Sequence, residues 1–272
     1  MSKTESLLKQ AQAPLGEKSA YVDQYDPAQL CPIPRQQIWT GPCYRTDVWT
    51  GYEISWLNEK GKPVAAMATF GIPGDSPSII ESKSFKLYLN SFNGYRVASW
   101  DRVAEMMTRD LSAAAGARVS VTLQPLHQLL VPSLPEGLCL DDLDVAIDHY
   151  VPEAALLSHA KGADAVVEEV VHSNLLKSNC PVTGQPDWGT VVVRYVGKAI
   201  DHESLLRYIV SYRNHGDFHE QCVEQIFTDI MMRCRPEQLT VYARYVRRGG
   251  LDINPWRSTS ESMPTFYRLP RQ

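Results

Sequence analysis

Long apolar runs are missing from this sequence. The longest, Val64 to Ala68, is far short of the roughly 20 residues a membrane-spanning helix needs. The first thirty residues, Met1 to Leu30, are peppered with Lys, Glu, Gln and Asp and hold no apolar signal core. The expectation is a cytoplasmic protein. Positive charge is not in surplus either: 27 Lys plus Arg stand against 31 Asp plus Glu, a net charge of −4 over 272 residues. That excludes a broadly basic wrapper of nucleic acid. Cysteines number six (Cys31, Cys43, Cys139, Cys180, Cys222, Cys234) with no C-x-x-C pair among them. They read as free thiols of a reducing compartment, with no structural zinc site. No G-x-G-x-x-G follows a strand and no G-x-x-x-x-G-K-[ST] occurs, so any nucleotide is bound outside the Rossmann and P-loop modes.

What is present is ordinary globular material, 44% hydrophobic and 21% charged, enough for one or two domains at about 150 residues each. An internal repeat organises it. At an offset of 120, Ile80-Glu81 faces Ile200-Asp201, Ser84-Phe85 faces Ser204-Leu205, and Tyr88-Leu89 faces Tyr208-Ile209. Ser91-Phe92 faces Ser211-Tyr212, Val103 to Thr108 faces Val223 to Thr228, and Val119-Ser120-Val121 faces Leu239-Thr240-Val241. Two unrelated amphipathic helices would share apolar matches, but not the matched Ser and Tyr in one register.

The predicted elements repeat as well. In the first half, strands are expected over Val48 to Leu57 and Val64 to Ile72, then helices over Lys83 to Phe92 and Trp100 to Ala115. Strands at Val119 to Leu123 and Leu143 to Tyr150 complete it. In the second half, strands near Val166 to Leu176 and Thr190 to Tyr195 precede helices near His202 to Tyr212 and Phe218 to Cys234. Leu239 to Tyr245 and a strand within Asn254 to Leu269 close the chain. Each half is a ββααββ unit, α+β in class, with helices on one face of an antiparallel sheet. The expected division is an N-terminal extension at 1–45, a first module at 46–152, a linker within Glu153 to Asp164 and a second module at 165–272.

The halves differ at one hairpin. The link Lys177 to Gly189 reads as about twice the length of its first-half counterpart and carries Cys180, Asp187 and Trp188. A thiol becomes a nucleophile when a base or positive surroundings favour the thiolate, and Asp187 in the same loop is a candidate proton donor or acceptor. The bland alternative is an inert Cys beside a turn-capping Asp. Cys222 and Cys234 are expected on the core side of a helix. His219-Glu220 opens a helix, where Glu220 is sufficiently explained by the helix dipole, yet the pair also offers an acid/base and a carboxylate for a polar ligand edge. Glu81 to Lys86 opens another helix. There Lys83 and Lys86 are either a solvated face or, with free backbone amides, an anion site. Arg244, Arg247 and Arg248 with Gly249-Gly250 form a second basic cluster, its glycines allowing close approach of a ligand.

These segments carry a resemblance. Glu81 to Tyr88, Ser178-Asn179-Cys180 with Gln185 to Gly189, Phe218 to Cys222 and Arg247 to Arg257 together resemble the NADPH-dependent 7-cyano-7-deazaguanine reductases of queuosine biosynthesis in their long two-module form. The resemblance runs from about Thr46 to the end. It implies a tandem duplication of the tunnelling-fold unit, a homodimer, and reduction of a cyano to an aminomethyl group with two NADPH and no metal. It implies a 7-deazaguanine substrate and no direct contact with nucleic acid or membrane. By the same resemblance Cys180 adds to the nitrile carbon as a thioimide, Asp187 supplies a proton, and His219 assists and covers the site. Glu220 reads the guanine-like edge, with Ile80, Glu81 and Ser82 also touching substrate. Ser82, Lys83, Arg248 and Gly249 meet NADPH. Two other readings compete: a tunnelling-fold purine or pterin hydrolase, which needs a metal set, and a non-catalytic purine- or tRNA-binding module using Arg244 to Arg248.

Overall fold

The structure is a computed structural model that describes residues 3–11, 21–127, 133–262, 264–265 and 268–272. The chain forms two compact units interleaved in sequence. The first comprises Met1–Gln36, Thr46–Leu130 and Arg247–Ile253, the second Gln37–Arg45, Val131–Val246 and Asn254–Gln272. The stretch read as an N-terminal extension is thus shared between the units, and the expected linker Glu153 to Asp164 falls inside the second.

The first unit begins with α1 (Lys3–Gln10) and β1 (Pro32–Pro34), followed by β2 (Tyr44–Leu57) and β3 (Pro63–Pro73). Next come β4 (Ser78–Ile80), α2 (Ser82–Asn90), α3 (Trp100–Ala115) and β5 (Ser120–Pro125). β2, β3 and β5 make an antiparallel sheet, and β1 pairs antiparallel with β4. α2 and α3 start where a side chain takes up orphaned amides. Glu81 accepts from the N–H groups of Lys83 and Ser84, both at 2.7 Å, and Ser99 accepts from Arg102 at 3.2 Å. Gly116, left-handed at φ 70°, ends α3. The apolar faces of α2 and α3 enclose Phe85, Tyr88, Phe92, Val103, Met107 and Leu111 with Trp49, Trp56 and Phe70 of the sheet.

The second unit holds β6 (Leu138–Cys139), β7 (Val166–Asn179), β8 (Pro186–Lys198), α4 (His202–Ser211), α5 (His219–Cys234), β9 (Gln238–Tyr245) and β10 (Leu251–Ser258), whose first three residues belong to the first unit. β7 to β10 are antiparallel in sequence order, and short β6 runs parallel to β7. Its core gathers Val191, Val193, Tyr195, Leu205, Tyr208, Phe227, Ile230 and Val241, with Cys222 and Cys234 buried among them.

Three expectations are corrected. Leu143 to Tyr150 forms no strand; its alternation is real, since Leu143, Val145 and Ile147 pack on the second core, but no neighbouring backbone completes a ladder. The long hairpin is also shorter than read. Lys177, Ser178 and Asn179 pair with Trp188, Asp187 and Pro186, so only Cys180 to Gln185 remains as loop, beside Asn58 to Lys62 in the first hairpin. Finally, the repeat does not keep one register. Matched hydrogen bonds hold the 120 offset in the first helix pair: Ser84 and Ser204 donate to the carbonyls of Glu81 and Asp201, and Ser91 and Ser211 to those of Tyr88 and Tyr208. Beyond them it slips to 119, because α3 begins at Trp100 and α5 at His219. The Tyr88–Asp110 bond at 2.8 Å then answers Tyr208–Asp229 at 2.6 Å. One residue fewer in the helix–helix link causes the slip.

Candidate active site

At the open end of the second core, the β7–β8 hairpin meets the start of α5. Ser178 and Asp187 are a cross-strand pair, and such pairs point to one face. Cys180, two residues beyond Ser178, opens the loop that joins the two strands. The cysteine is held by its backbone: its N–H donates to Gln185 O at 2.8 Å and its carbonyl accepts from Gly184 at 3.0 Å, with Gly184 left-handed at φ 65°. Asn179 N–H donates to the His215 carbonyl at 2.7 Å, tying the turn to the loop before α5. The Cys180 side chain is half-buried.

Asp187 is buried, and its Oδ2 lies 3.3 Å from His219 Nε2, with side chains 6% and 12% exposed. The His219 ring stacks flat on Tyr245, centroids 3.7 Å apart and planes 2° apart. His219 and Glu220 occupy the first turn of α5, which has no side-chain cap at Phe218. The amide ends there are positive and favour the neighbouring carboxylates. Cys180, Asp187, His219 and Glu220 therefore come from one end of one unit.

The sequence reading missed what supports Glu220. Its carbonyl accepts from Arg257 Nη2 at 3.4 Å, and Arg257 Nε binds the Glu224 carboxylate. Glu224 also accepts from Arg45 Nη1 at 3.3 Å and from the Trp39 N–H at 3.2 Å. Arg257 is 1% exposed. A Glu one turn after Glu220, on the core side of the helix, was the available signal: a buried carboxylate needs a buried cation. Cys222 of α5 is a buried thiol, pushed well above its ordinary value of 9.0 by burial.

In the first unit, the amides expected to hold an anion are already engaged. Both Glu81 oxygens accept from them, and a carboxylate fixed there repels a second anion. Glu81 is 0% exposed, and Ile80 packs in the core and pairs with Pro32. Gly249 and Gly250 serve a tight turn: φ is 59° and 81°, and Arg248 and Leu251 exchange backbone bonds at 2.9 and 3.3 Å. Two positive φ values in succession suit glycine. A Cβ on Gly249 would lie 3.2 Å from Lys86 Cδ, so this turn rests against α2 and brings Arg248 and Gly249 to the helix of Ser82 and Lys83. Arg244 is buried on β9 rather than part of an exposed basic patch. With the helix amides taken, Lys83, Lys86 and Arg248 are the cationic residues of this group whose charge suits a phosphate.

Residues 21–123 match the family described as nitrile reductase, 7-cyano-7-deazaguanine-reductase N-term, and residues 186–264 match the QueF-like protein family. A protein of Chromobacterium violaceum named NADPH-dependent 7-cyano-7-deazaguanine reductase is 53% identical, over 93% of this chain and 94% of its own. One of the same name from Paraburkholderia xenovorans is 55% identical, over 96% and 98%. The chain belongs to the NADPH-dependent 7-cyano-7-deazaguanine reductases. A solved archaeosine synthase QueF-Like in the apo form aligns with 36% of this chain and 96% of its own, at 19% identity and a TM-score of 0.31. Asp187, His219, Glu220, Arg248 and Gly249 of this reductase lie within the second matched segment and Ile80 to Lys83 within the first, while Cys180 falls between the two. Among the described residues, no helix is long and apolar enough to cross a membrane.

Proposed function

We propose that this chain reduces the nitrile of 7-cyano-7-deazaguanine to the aminomethyl group of 7-aminomethyl-7-deazaguanine, consuming two NADPH, in queuosine tRNA-modification biosynthesis. The relatives that share more than half its residues over nine-tenths of its length carry the name of that reaction. The observation that carries the site assignment is the Asp187–His219 pair at 3.3 Å beside the turn of Cys180.

Cys180 sulfur bonds to the nitrile carbon while the thiol proton passes to the nitrile nitrogen, leaving a covalent thioimide more open to reduction than the nitrile. Asp187 takes and returns that proton; once the carbon has been reduced the first time the C–S bond breaks, returning Cys180 to the thiol and leaving an imine, and His219 holds Asp187 and relays protons to the nitrogen as the imine becomes an amine. Glu220 accepts from the N–H groups of the guanine-like edge; in the first unit Ile80 and Glu81 are buried, and Ser82 is the one of the three left to meet a ligand. Bound NADPH supplies the hydrides. Ser82, Lys83, Arg248 and Gly249 would hold it. The matched hydrogen bonds around Ser84 and Ser204 support a tandem duplication of the tunnelling-fold unit, and the proposed assembly is a cytoplasmic homodimer.

The test mixes purified protein with 7-cyano-7-deazaguanine and follows NADPH absorbance. Two equivalents consumed per substrate support the reading, and no consumption overturns it. Intact mass with NADPH withheld should show the substrate's added weight on Cys180, absent in Cys180→Ala.

A further inference from the structure

We propose that Tyr245 is a positioning residue for His219, and that Gly189 is glycine because the Tyr245 ring needs its space. The proposal rests on the role given above to His219 as a proton relay. Asp187 touches the imidazole at one nitrogen only. A single hydrogen bond does not fix the plane of the imidazole, and a relay held in no fixed plane is aligned for proton transfer in only a fraction of turnovers. A flat stack removes that freedom. The Tyr245 ring lies 3.7 Å from the imidazole and 2° from parallel, so it sets the plane that Asp187 leaves open.

Tyr245 can act as such a wall because it is itself immobile. It is fully buried on β9, its N–H donates to Asn254 Oδ1 at 3.3 Å, and its carbonyl accepts from Gln272 Nε2 at 2.8 Å. The hydroxyl sits beside the Ser178 hydroxyl and the Cys222 thiol, and burial keeps it protonated. On the sheet, Tyr245 is directly opposite Gly189. A Cβ at Gly189 would stand 3.2 and 3.3 Å from the ring's Cδ1 and Cε1 and 3.3 Å from Leu176 Cδ2. Leu176 is core and cannot yield, so the ring would shift. Gly189 follows Asp187 by two residues, on the same face of β8. The strand that carries the carboxylate therefore also clears room for the ring that orients the imidazole.

The experiment compares the full-length chain with Tyr245→Phe, Tyr245→Leu and Gly189→Ala. It measures kcat, KM for the nitrile, the Cys180 adduct formed without NADPH, and the His219 ring nitrogen resonances by NMR, assigned against His219→Gln. Tyr245→Phe keeps the stacked face and should hold kcat within about threefold. Tyr245→Leu should lower kcat at least tenfold, with KM and adduct formation within twofold and the His219 resonances moved. Gly189→Ala should shift the same resonances and lower kcat about three- to tenfold. Unaltered kcat in Tyr245→Leu, or a loss in Tyr245→Phe as large as in Tyr245→Leu, overturns the proposal. If Tyr245→Leu does not fold, Gly189→Ala decides: unmoved resonances with unaltered kcat overturn it. Should the unaltered protein fail to reduce the nitrile, the reading of the reaction falls. The resonances still judge the stack, since His219 signals unmoved in the folded variants sink the positioning role.

Discussion

Glu220 places its carboxyl group where water barely reaches, 3% exposed in the first turn of α5. A carboxylate so placed discriminates through what it lacks when the wrong ligand binds, because a buried acceptor without a donor costs about 1–3 kcal/mol. Glu220→Gln keeps the shape but, on the proposed role of Glu220, turns one acceptor into a donor facing the N–H groups of the guanine edge. It should lower kcat/KM for the nitrile by about 1–3 kcal/mol, mostly through KM, while Cys180 keeps its adduct at saturating substrate. A change in kcat alone would remove Glu220 from recognition. His215 gives a pH signature beside the same site. Burial, the larger cause, pushes its imidazole below the ordinary 6.5, with Asp217 pulling the other way. A depressed folded value means that His215 contributes stability present above 6.5 and lost as pH falls through the folded value. Its carbonyl holds the Asn179 amide. The urea midpoint should therefore fall between pH 7 and pH 5 in the unaltered chain and fall less in His215→Gln; parallel pH curves would refute it.

Elements were legible where both ends announced themselves. The α3 bounds, Trp100 and Ala115, coincide with the sequence reading because Ser99 and Gly116 mark start and stop and the apolar face between them has helical spacing. Leu143 to Tyr150 failed for the opposite reason. Period-two burial is shared by a strand and by an extended segment lying across a core, and only the neighbouring backbone separates them. The hairpin failed because Pro186 and Gly189 look like loop residues, though Pro186 sits where a strand begins and Gly189 opposite a tyrosine ring. The start of α2 shows how a motif can be assigned the wrong physics. The amides at the head of α2 read as free to hold an anion with Lys83 and Lys86, yet the Glu81 carboxylate caps them. Glu81→Ala should therefore cost about 1–2 kcal/mol of stability with no ligand present, measured by urea unfolding of the apo chain. An unchanged midpoint would mean that the carboxylate is kept for substrate alone.

Across the whole molecule, the same polar skeleton is built twice. In each unit a serine in the first helical turn braces the cap carbonyl, and a tyrosine one turn later reaches an aspartate on the next helix. The matching Ser and Tyr were visible in sequence, but the aspartates were not, since Asp110 and Asp229 are 119 apart and drop out of a 120 register. Apolar residues hid the slip, because Val103 faces either Val223 or Cys222 without penalty. The two units differ in how many donors each aspartate keeps. Asp110 accepts from Tyr25 at 2.6 Å and from Arg109 at 2.9 Å besides Tyr88. Asp229 accepts from Gln225 at 2.7 Å besides Tyr208, and burial raises its carboxyl above the ordinary 3.8. Removing one tyrosine hydroxyl should thus be felt unequally. Tyr208→Phe strips a buried aspartate of a charge-assisted bond and should cost about 2–3 kcal/mol. Tyr88→Phe leaves a tyrosine and an arginine in place and should cost about 1 kcal/mol or less. Urea unfolding of the two variants at pH 7 reads the difference directly. Equal losses would show that the copies are energetically interchangeable and that Tyr25 and Arg109 add nothing to the first.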